Sequence, residues 1–163
     1  MQVIAFDVFG TVFDLSKVPN EEINYYGNHI RQEIWQPLNF PQSWENIPAH
    51  PDAAEGIAIL RRNYQVVTLS NCPMKLLTKL SKKNHISWDA IIPIESYQVY
   101  KPNPLAYQIA CQLMGERPEN IMMVTANPTF GDIEQAQKLN MIPQIIRHPN
   151  HPKDILELAK IIC

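Results

Sequence analysis

FDVFGTVFD, residues 6–14, follows the apolar run MQVIA and halts it on a carboxylate, Asp7, with Gly10 and Thr11 close behind. A carboxylate at the end of a strand that reads as buried costs free energy unless something satisfies it. Two readings meet that need. In one, the loop merely caps the strand. In the other, Asp7 is a reactive group at the carboxyl edge of a parallel sheet, where open α/β folds bind ligands.

The rest of the chain supplies such a sheet. Strand-like runs fall at residues 2–6, 64–69 (YQVVTL), 89–94 (DAIIPI), 120–126 (NIMMVTA) and 143–147 (PQIIR). Helix-like runs fall between and after them, at 51–63, 73–84, 103–115, 132–140 and 153–162. Pro near the start of the second of these helices and Gly115 at the end of the third are ordinary boundary signals. Strands alternating with helices at this spacing predict an α/β fold, a parallel sheet of about five strands covered on both faces.

Composition bounds the function. The chain has 163 residues, 45% of them hydrophobic, and a formal charge of −2. The length suggests a single domain over 1–163 with a sizeable core. The charge gives no support for a nucleic-acid or membrane partner. Three cysteines without CxxC spacing argue against a disulfide framework or a zinc site and fit a reducing, cytoplasmic setting. No signal peptide and no apolar stretch long enough to span a bilayer is visible.

Residues 15–50 break the strand–helix rhythm and hold four prolines and two of the three tryptophans. The spacing predicts one helix over 20–36, with Asn20 as N-cap and Glu21 and Glu22 in its first turn. The segment is either a decorated crossover or a small helical cap folded over the sheet edge; we expect the cap. Tyr25, Tyr26, Trp35, Phe40 and Trp44 either wall a small apolar pocket or staple the cap to the core.

The residues that follow each strand decide how Asp7 is read. Strand one delivers Asp7, Gly10 and Thr11; strand two delivers Ser70 and Asn71. After strand three comes Lys101, and strand four delivers Thr125, Asn127 and then Asp132. Each alone has a bland reading: a helix cap for Ser70–Asn71, a solvated loop for Lys101, a helix N-terminal charge for Asp132. Together they place a carboxylate, a hydroxyl, a lysine and a second carboxylate along one edge.

The order DVFGT, LSN, YKPNP and VTANPTFGD resembles the four motifs of the haloacid dehalogenase superfamily, over nearly all the chain outside 15–50. The resemblance implies a Rossmann-like three-layer core and an aspartate nucleophile that forms an ester with the substrate. DVFGTVFD, PDAAEGIAILRRNYQVVTLSN and VYKPNPLAY are similar to the 2-haloacid dehalogenase branch. That branch has an aromatic two positions after the nucleophile, matched by Phe9, and a tyrosine six after the lysine, matched by Tyr107. The implied roles are Asp7 as nucleophile, Thr11 and Ser70 as donors to Asp7 or a bound anion, and Asn71 as an orienter of substrate. Lys101 would favour the ionised form of Asp7. Asn127 and Asp132 would position the hydrolytic water, and Phe9, Tyr107 and Thr125 would contact the substrate.

Departures from the family pattern matter as much. Phosphatases of the superfamily carry an Asp where Phe9 stands and another where Ala126 stands. Phe9 transfers no proton, which suits a halide leaving group. No cofactor is then required, although Mg2+ on Asp7, Asp132 and a carbonyl near Phe9 stays open as a thin ligand set. Dehalogenases of the branch have a larger cap with an arginine for the substrate carboxylate. Arg31 is the insertion's only arginine, and a surface role for it is equally open. Three readings remain: a metal-independent dehalogenase acting on a small molecule, a magnesium-dependent phosphohydrolase, and a weak or inactive binding relative. A homodimer is compatible with each.

Overall fold

The computed structural model describes all 163 residues. Five parallel strands form one sheet: β1 (Val3–Phe6), β2 (Gln65–Thr68), β3 (Ala90–Ile91), β4 (Ile121–Thr125) and β5 (Ile142–Ile145), in the order β3-β2-β1-β4-β5. β1 lies at the centre, with Phe6 opposite Thr68 on one side and Val124 on the other. Residues alternate between the two faces of a strand, so β1 feeds two cores. Ile4 and Phe6 join Val66, Met122 and Val124 on one face. Val3 and Ala5 join Val67, Leu69, Ile121 and Met123 on the other.

Helices close both faces, which makes three layers. α2 (Ala53–Leu60), α3 (Met74–Lys83) and α6 (Ile155–Ile162) pack on the first core through Ile57, Leu80 and Leu158. α4 (Pro104–Met114) and α5 (Asp132–Lys138) pack on the second through Tyr107, Ile109 and Ala136. Local chemistry sets the ends of α4. The Asn103 carboxamide oxygen accepts from Leu105 N at 2.9 Å, Pro104 occupies the first turn, and Gly115 closes the helix at φ +65°. The α/β, Rossmann-like sandwich expected from the motifs is the observed fold.

Several element ends fall a few residues from expectation, and two of the differences have a plain cause. β3 stops at Ile91, because Pro93 offers no N–H for the ladder and the chain turns into a short 3-10 segment at Ile94–Tyr97. α1 spans Asn20–His29 rather than 20–36, and Asn20 is inside it, with Pro19 at the cap position. Tertiary contacts override helix propensity beyond His29. Trp35 stacks on Tyr100 with ring centroids 5.5 Å apart, and the Gln36 carbonyl receives the Tyr100 hydroxyl and the His29 ring nitrogen.

The ends of the 15–50 segment are pinned together. Asp14 N donates to Pro48 O at 2.8 Å, and His50 N donates to Val12 O at 2.9 Å. Its later part docks on α3, where Lys79 pairs with Glu45 at 2.7 Å and Lys83 reaches Asn46. No helix is long and apolar enough to cross a membrane.

Candidate active site

β1, β2 and β4 end side by side, so the residues that follow them share one crevice of about 580 Å3. Asp7, Ser70, Asn71, Lys101 and Asn127 line it from the sheet edge. α1 and the loop after it close the opposite side with Tyr26, Arg31, Phe40 and Trp44.

Asp7 is held from both of its oxygens. Oδ2 accepts from Thr11 Oγ1 at 3.0 Å, Thr125 Oγ1 at 3.2 Å and Asn127 Nδ2 at 2.8 Å. Oδ1 accepts only from Lys101 Nζ, at 3.1 Å. A carboxylate oxygen with three donors is saturated, so Oδ1 retains the freer lone pairs. Two glycines make this packing fit. Gly10 sits at φ +81°, and a Cβ there would come within 3.3 Å of the Asn127 amide. Gly131, at φ +136°, lets the backbone before Asp132 press on Pro102, whose Cβ would stand 2.5 Å from an added methyl.

Lys101 is 1% exposed and bridges two carboxylates, Asp7 and Asp132, the latter at 3.0 Å. Burial on its own would lower the Lys101 pKa, but the Asp132 and Asp7 charges outweigh it and raise the value. Burial pushes the Asp132 carboxyl up against the opposing pull of Lys101. Burial, together with the adjacent Asp132 charge, pushes the Tyr107 phenol well up, so that hydroxyl remains a donor.

Several expected roles change with the geometry. Asp132 is fully buried, and its oxygens go to Lys101 and to Tyr107 Oη at 2.5 Å, so it stands beneath the crevice instead of addressing a water in it. Tyr107 is likewise fully buried and contacts Asp132, not the space for a substrate. Thr125 supports from below: its hydroxyl donates to Asp7 and accepts from Asn127 N at 2.9 Å. The Asn127 amide is spent on Asp7 and on the Phe9 carbonyl at 3.0 Å; both neighbours are acceptors, which fixes the amide with nitrogen inward. Asn71 lines the crevice, but its amide pairs with the Lys101 backbone in both directions, at 3.1 and 2.7 Å. Ser70 does not bond Asp7. Its oxygen accepts from Cys72 N at 2.9 Å, and its hydroxyl proton has no protein acceptor.

The magnesium ligand set expected from Asp7, Asp132 and the Phe9 carbonyl does not fit a hard cation that asks for several free oxygens. The Lys101 ammonium fills the space between the two carboxylates, Tyr107 takes the other Asp132 oxygen, and Asn127 covers the Phe9 carbonyl.

Of the aromatic residues in the insertion, Tyr26, Phe40 and Trp44 pack with Phe9 in one cluster, with centroids from 4.1 to 5.5 Å apart. These rings both staple the insertion to the core and wall the crevice. Tyr25 is 62% exposed, and Trp35 turns away to Tyr100. Arg31 is exposed, lines the crevice and forms no ion pair. Sequence reasoning passed over Arg147 and Asp52. Arg147 lies two residues beyond β5 and reaches back to the Thr11 carbonyl. In the sequence it closes the expected strand 143–147, and only with β5 ending at Ile145 does it stand past a strand end, as Ser70 and Asn127 do.

The chain is similar to known proteins in sequence and in fold. The family model for haloacid dehalogenase-like hydrolases matches residues 26–134, well over half of the chain. The (S)-2-haloacid dehalogenase 4A of Burkholderia cepacia is 33% identical over 89 residues, which cover 52% of this chain and 38% of that protein. The (S)-2-haloacid dehalogenase of Xanthobacter autotrophicus is 20% identical over 173 residues, covering 78% of this chain and 68% of that one. The match thus spans less than half the length of the Burkholderia relative. Among solved structures, the L-2-haloacid dehalogenase PA0810 superposes with TM-score 0.81 at 20% identity, over the whole of both chains. The Xanthobacter autotrophicus L-2-haloacid dehalogenase with chloropropionic acid covalently bound gives 0.73 at 18% identity, covering 92% of this chain and 79% of that one.

Proposed function

The chain belongs to the haloacid dehalogenase-like hydrolases, and from that premise we propose that it is a metal-independent 2-haloacid dehalogenase working through an Asp7 ester. The observation that carries the reading is the Lys101 ammonium lodged between Asp7 and Asp132, in the space a magnesium ion would need. Phe9 adds to it, because no acid stands two residues after Asp7 to protonate a leaving group. A departing halide needs no proton; an alkoxide released from a phosphate ester does.

The charges favour a singly charged substrate. Asp7, Asp132 and Lys101 sum to one negative charge, and Arg31 brings the crevice to zero. A carboxylate substrate adds one negative charge and keeps it, while the charge Asp7 loses on forming the ester leaves with the halide. A phosphate dianion would carry two into a site whose single unpaired cation is Arg31. Arg31 is the group that would take the substrate carboxylate, with the Ser70 hydroxyl as a donor. The wall of Phe9, Tyr26, Phe40 and Trp44 would take an apolar substituent on C2. Residues 15–50 would act as a small cap on a single core domain.

In the first step Asp7 Oδ1 attacks C2. A C–O bond forms as the carbon–halogen bond breaks, and the halide leaves with the electron pair. Thr11, Thr125 and Asn127 hold Oδ2 so that Oδ1 points at the reacting carbon. In the second step water adds to the Asp7 carboxyl carbon, the ester C–O bond breaks, and the 2-hydroxy acid departs. The balance is one haloacid and one water giving one hydroxy acid, one halide and one proton. Lys101 remains paired with Asp132 throughout, so the ester stage leaves no uncompensated charge beneath it.

The test is halide release from 2-chloropropionate set against phosphate release from p-nitrophenyl phosphate, each with and without magnesium. Halide release that ignores magnesium supports the proposal. Magnesium-dependent phosphate release would replace it with the phosphohydrolase reading. Activity on neither substrate would favour the binding relative.

A further inference from the structure

We propose that Arg147 is a positioning residue for Asp7, acting through the backbone of Thr11; this rests on the reading of Asp7 as the reacting carboxylate. The Arg147 guanidinium donates twice to the Thr11 carbonyl, from Nε at 3.2 Å and Nη2 at 3.0 Å. It also grips Asp52 with two bonds, Nη1 to Oδ1 and Nη2 to Oδ2, each 3.1 Å. Asp52 is anchored in turn, since its Oδ2 accepts from Ile155 N at 2.8 Å at the start of α6. One planar fork therefore ties the Asp7 loop to the beginnings of α2 and α6. A lysine, with a single ammonium, has no such fork.

What is clamped is the residue that steers the carboxylate. Thr11 donates to Asp7 Oδ2 at 3.0 Å and accepts from Ala126 N at 2.8 Å. Its own backbone carbonyl carries no helix or sheet bond and meets only Arg147. Without the clamp Thr11 is free to pivot, and one of three donors on Oδ2 goes with it. The backbone of Arg147 points the same way. It sits at φ +63°, a region that is strained for a non-glycine residue and persists where the surroundings enforce it. Arg147 is itself 17% exposed at the side chain and outside the crevice lining, so it touches no substrate.

The experiment compares Arg147→Ala with Asp89→Asn, which disrupts a distant ion pair, Asp89 with Arg61, and so reports fold damage alone. Halide release and amide hydrogen exchange at Gly10, Val12 and Phe13 are both read; all three amides are hydrogen-bonded in the loop. Arg147→Ala is expected to lose about tenfold or more in kcat, with KM changed less than about twofold, the pattern of a misplaced reacting group. Low, non-denaturing guanidinium is expected to restore part of kcat, and Arg147→Lys is not. Exchange at the three loop amides is expected to accelerate in Arg147→Ala and not in Asp89→Asn. Unchanged loop exchange, or losses in Arg147→Ala no greater than in Asp89→Asn, overturns the proposal. Exchange needs no substrate, so a wild-type protein that releases no halide sinks the dehalogenase reading while the clamp is still decided.

Discussion

Tyr107 Oη lies 2.5 Å from Asp132 Oδ1, and neither side chain meets solvent. The pair is the bottom of a chain that runs from Tyr107 through Asp132 and Lys101 to Asp7. Each link satisfies a group that burial would otherwise make costly. Tyr107→Phe leaves Asp132 Oδ1 buried without a donor. We expect it to lose about 2 kcal/mol of stability, the range for a hydrogen bond to a charged group. KM should change little, because Tyr107 does not reach the crevice. Urea unfolding and steady-state kinetics check both; a large KM rise at full stability would return Tyr107 to the substrate.

The alkaline limb of stability should depend on Asp7. The folded state holds the Lys101 proton more tightly than the unfolded chain does, since its pKa is raised in the fold. The linked stability is therefore complete below the ordinary lysine value of about 10.4 and is lost as pH rises through the folded value above it. In Asp7→Asn one of the two charges that raise Lys101 is gone, so its folded value falls toward the ordinary one: the linked loss should be smaller and end at lower pH than in the wild type. Thermal unfolding between about pH 9 and 12 reads the difference, and superimposable limbs would contradict it.

How much of this was legible in the chain follows from what kind of contact each feature needs. Asp7, Ser70, Lys101 and Asn127 could be gathered from sequence because parallel topology puts every strand end on one edge, whatever the side chains do afterwards. The α4 boundaries were legible because Asn103, Pro104 and Gly115 act locally. What each polar atom does was not. Asp132 and Tyr107 read as crevice residues, yet both side chains are buried beneath it, bonded to each other and, through Asp132, to Lys101. The end of α1 was misread for the same reason, as Trp35 and Gln36 answer to Tyr100, far along the chain. Arg147 pairs with a carboxylate and a carbonyl that no periodicity connects to it.

Chelation should leave turnover intact. Asp132 and the Phe9 carbonyl are committed to Tyr107, Lys101 and Asn127, so a divalent ion would have to break bonds already made. Halide release assayed with excess EDTA is expected to match the untreated rate. Loss with EDTA and recovery with magnesium would mean that the ammonium bridge rearranges to admit a metal.

Recognition of substrate should divide between Arg31 and the aromatic wall. Arg31→Gln removes the crevice's unpaired cation and is expected to raise KM for 2-chloropropionate about tenfold or more, the scale of a charged hydrogen bond. Phe40→Ala opens the wall beside Tyr26 and Trp44, and should penalise substrates with a large apolar C2 group more than 2-chloropropionate. Ratios of kcat/KM across a series of C2 substituents measure this. An Arg31→Gln protein with unchanged KM would assign that arginine to the surface.

Asp7→Asn is the most direct test of mechanism. The amide is nearly isosteric, so the fold should persist, but a carboxamide is a poor nucleophile and turnover should cease. The substitution also exchanges an acceptor for a donor at one oxygen. If nitrogen takes the Oδ2 position it meets the donors Thr11, Thr125 and Asn127; at Oδ1 it meets only Lys101, which keeps Asp132 as partner. The amide should therefore settle with nitrogen toward Lys101, where attack would have begun. Wild-type protein in water labelled with heavy oxygen, held to a single turnover, separates covalent from direct routes. Attack by Asp7 Oδ1 transfers its own unlabelled oxygen to the first 2-hydroxy acid, and the water that opens the ester at the carboxyl carbon leaves its label in Asp7. Mass spectrometry of the peptide containing residues 1–14 should show that gain of one heavy oxygen. Label in the first-turnover product with none in the peptide would make Asp7 an orienting carboxylate and water the direct attacker.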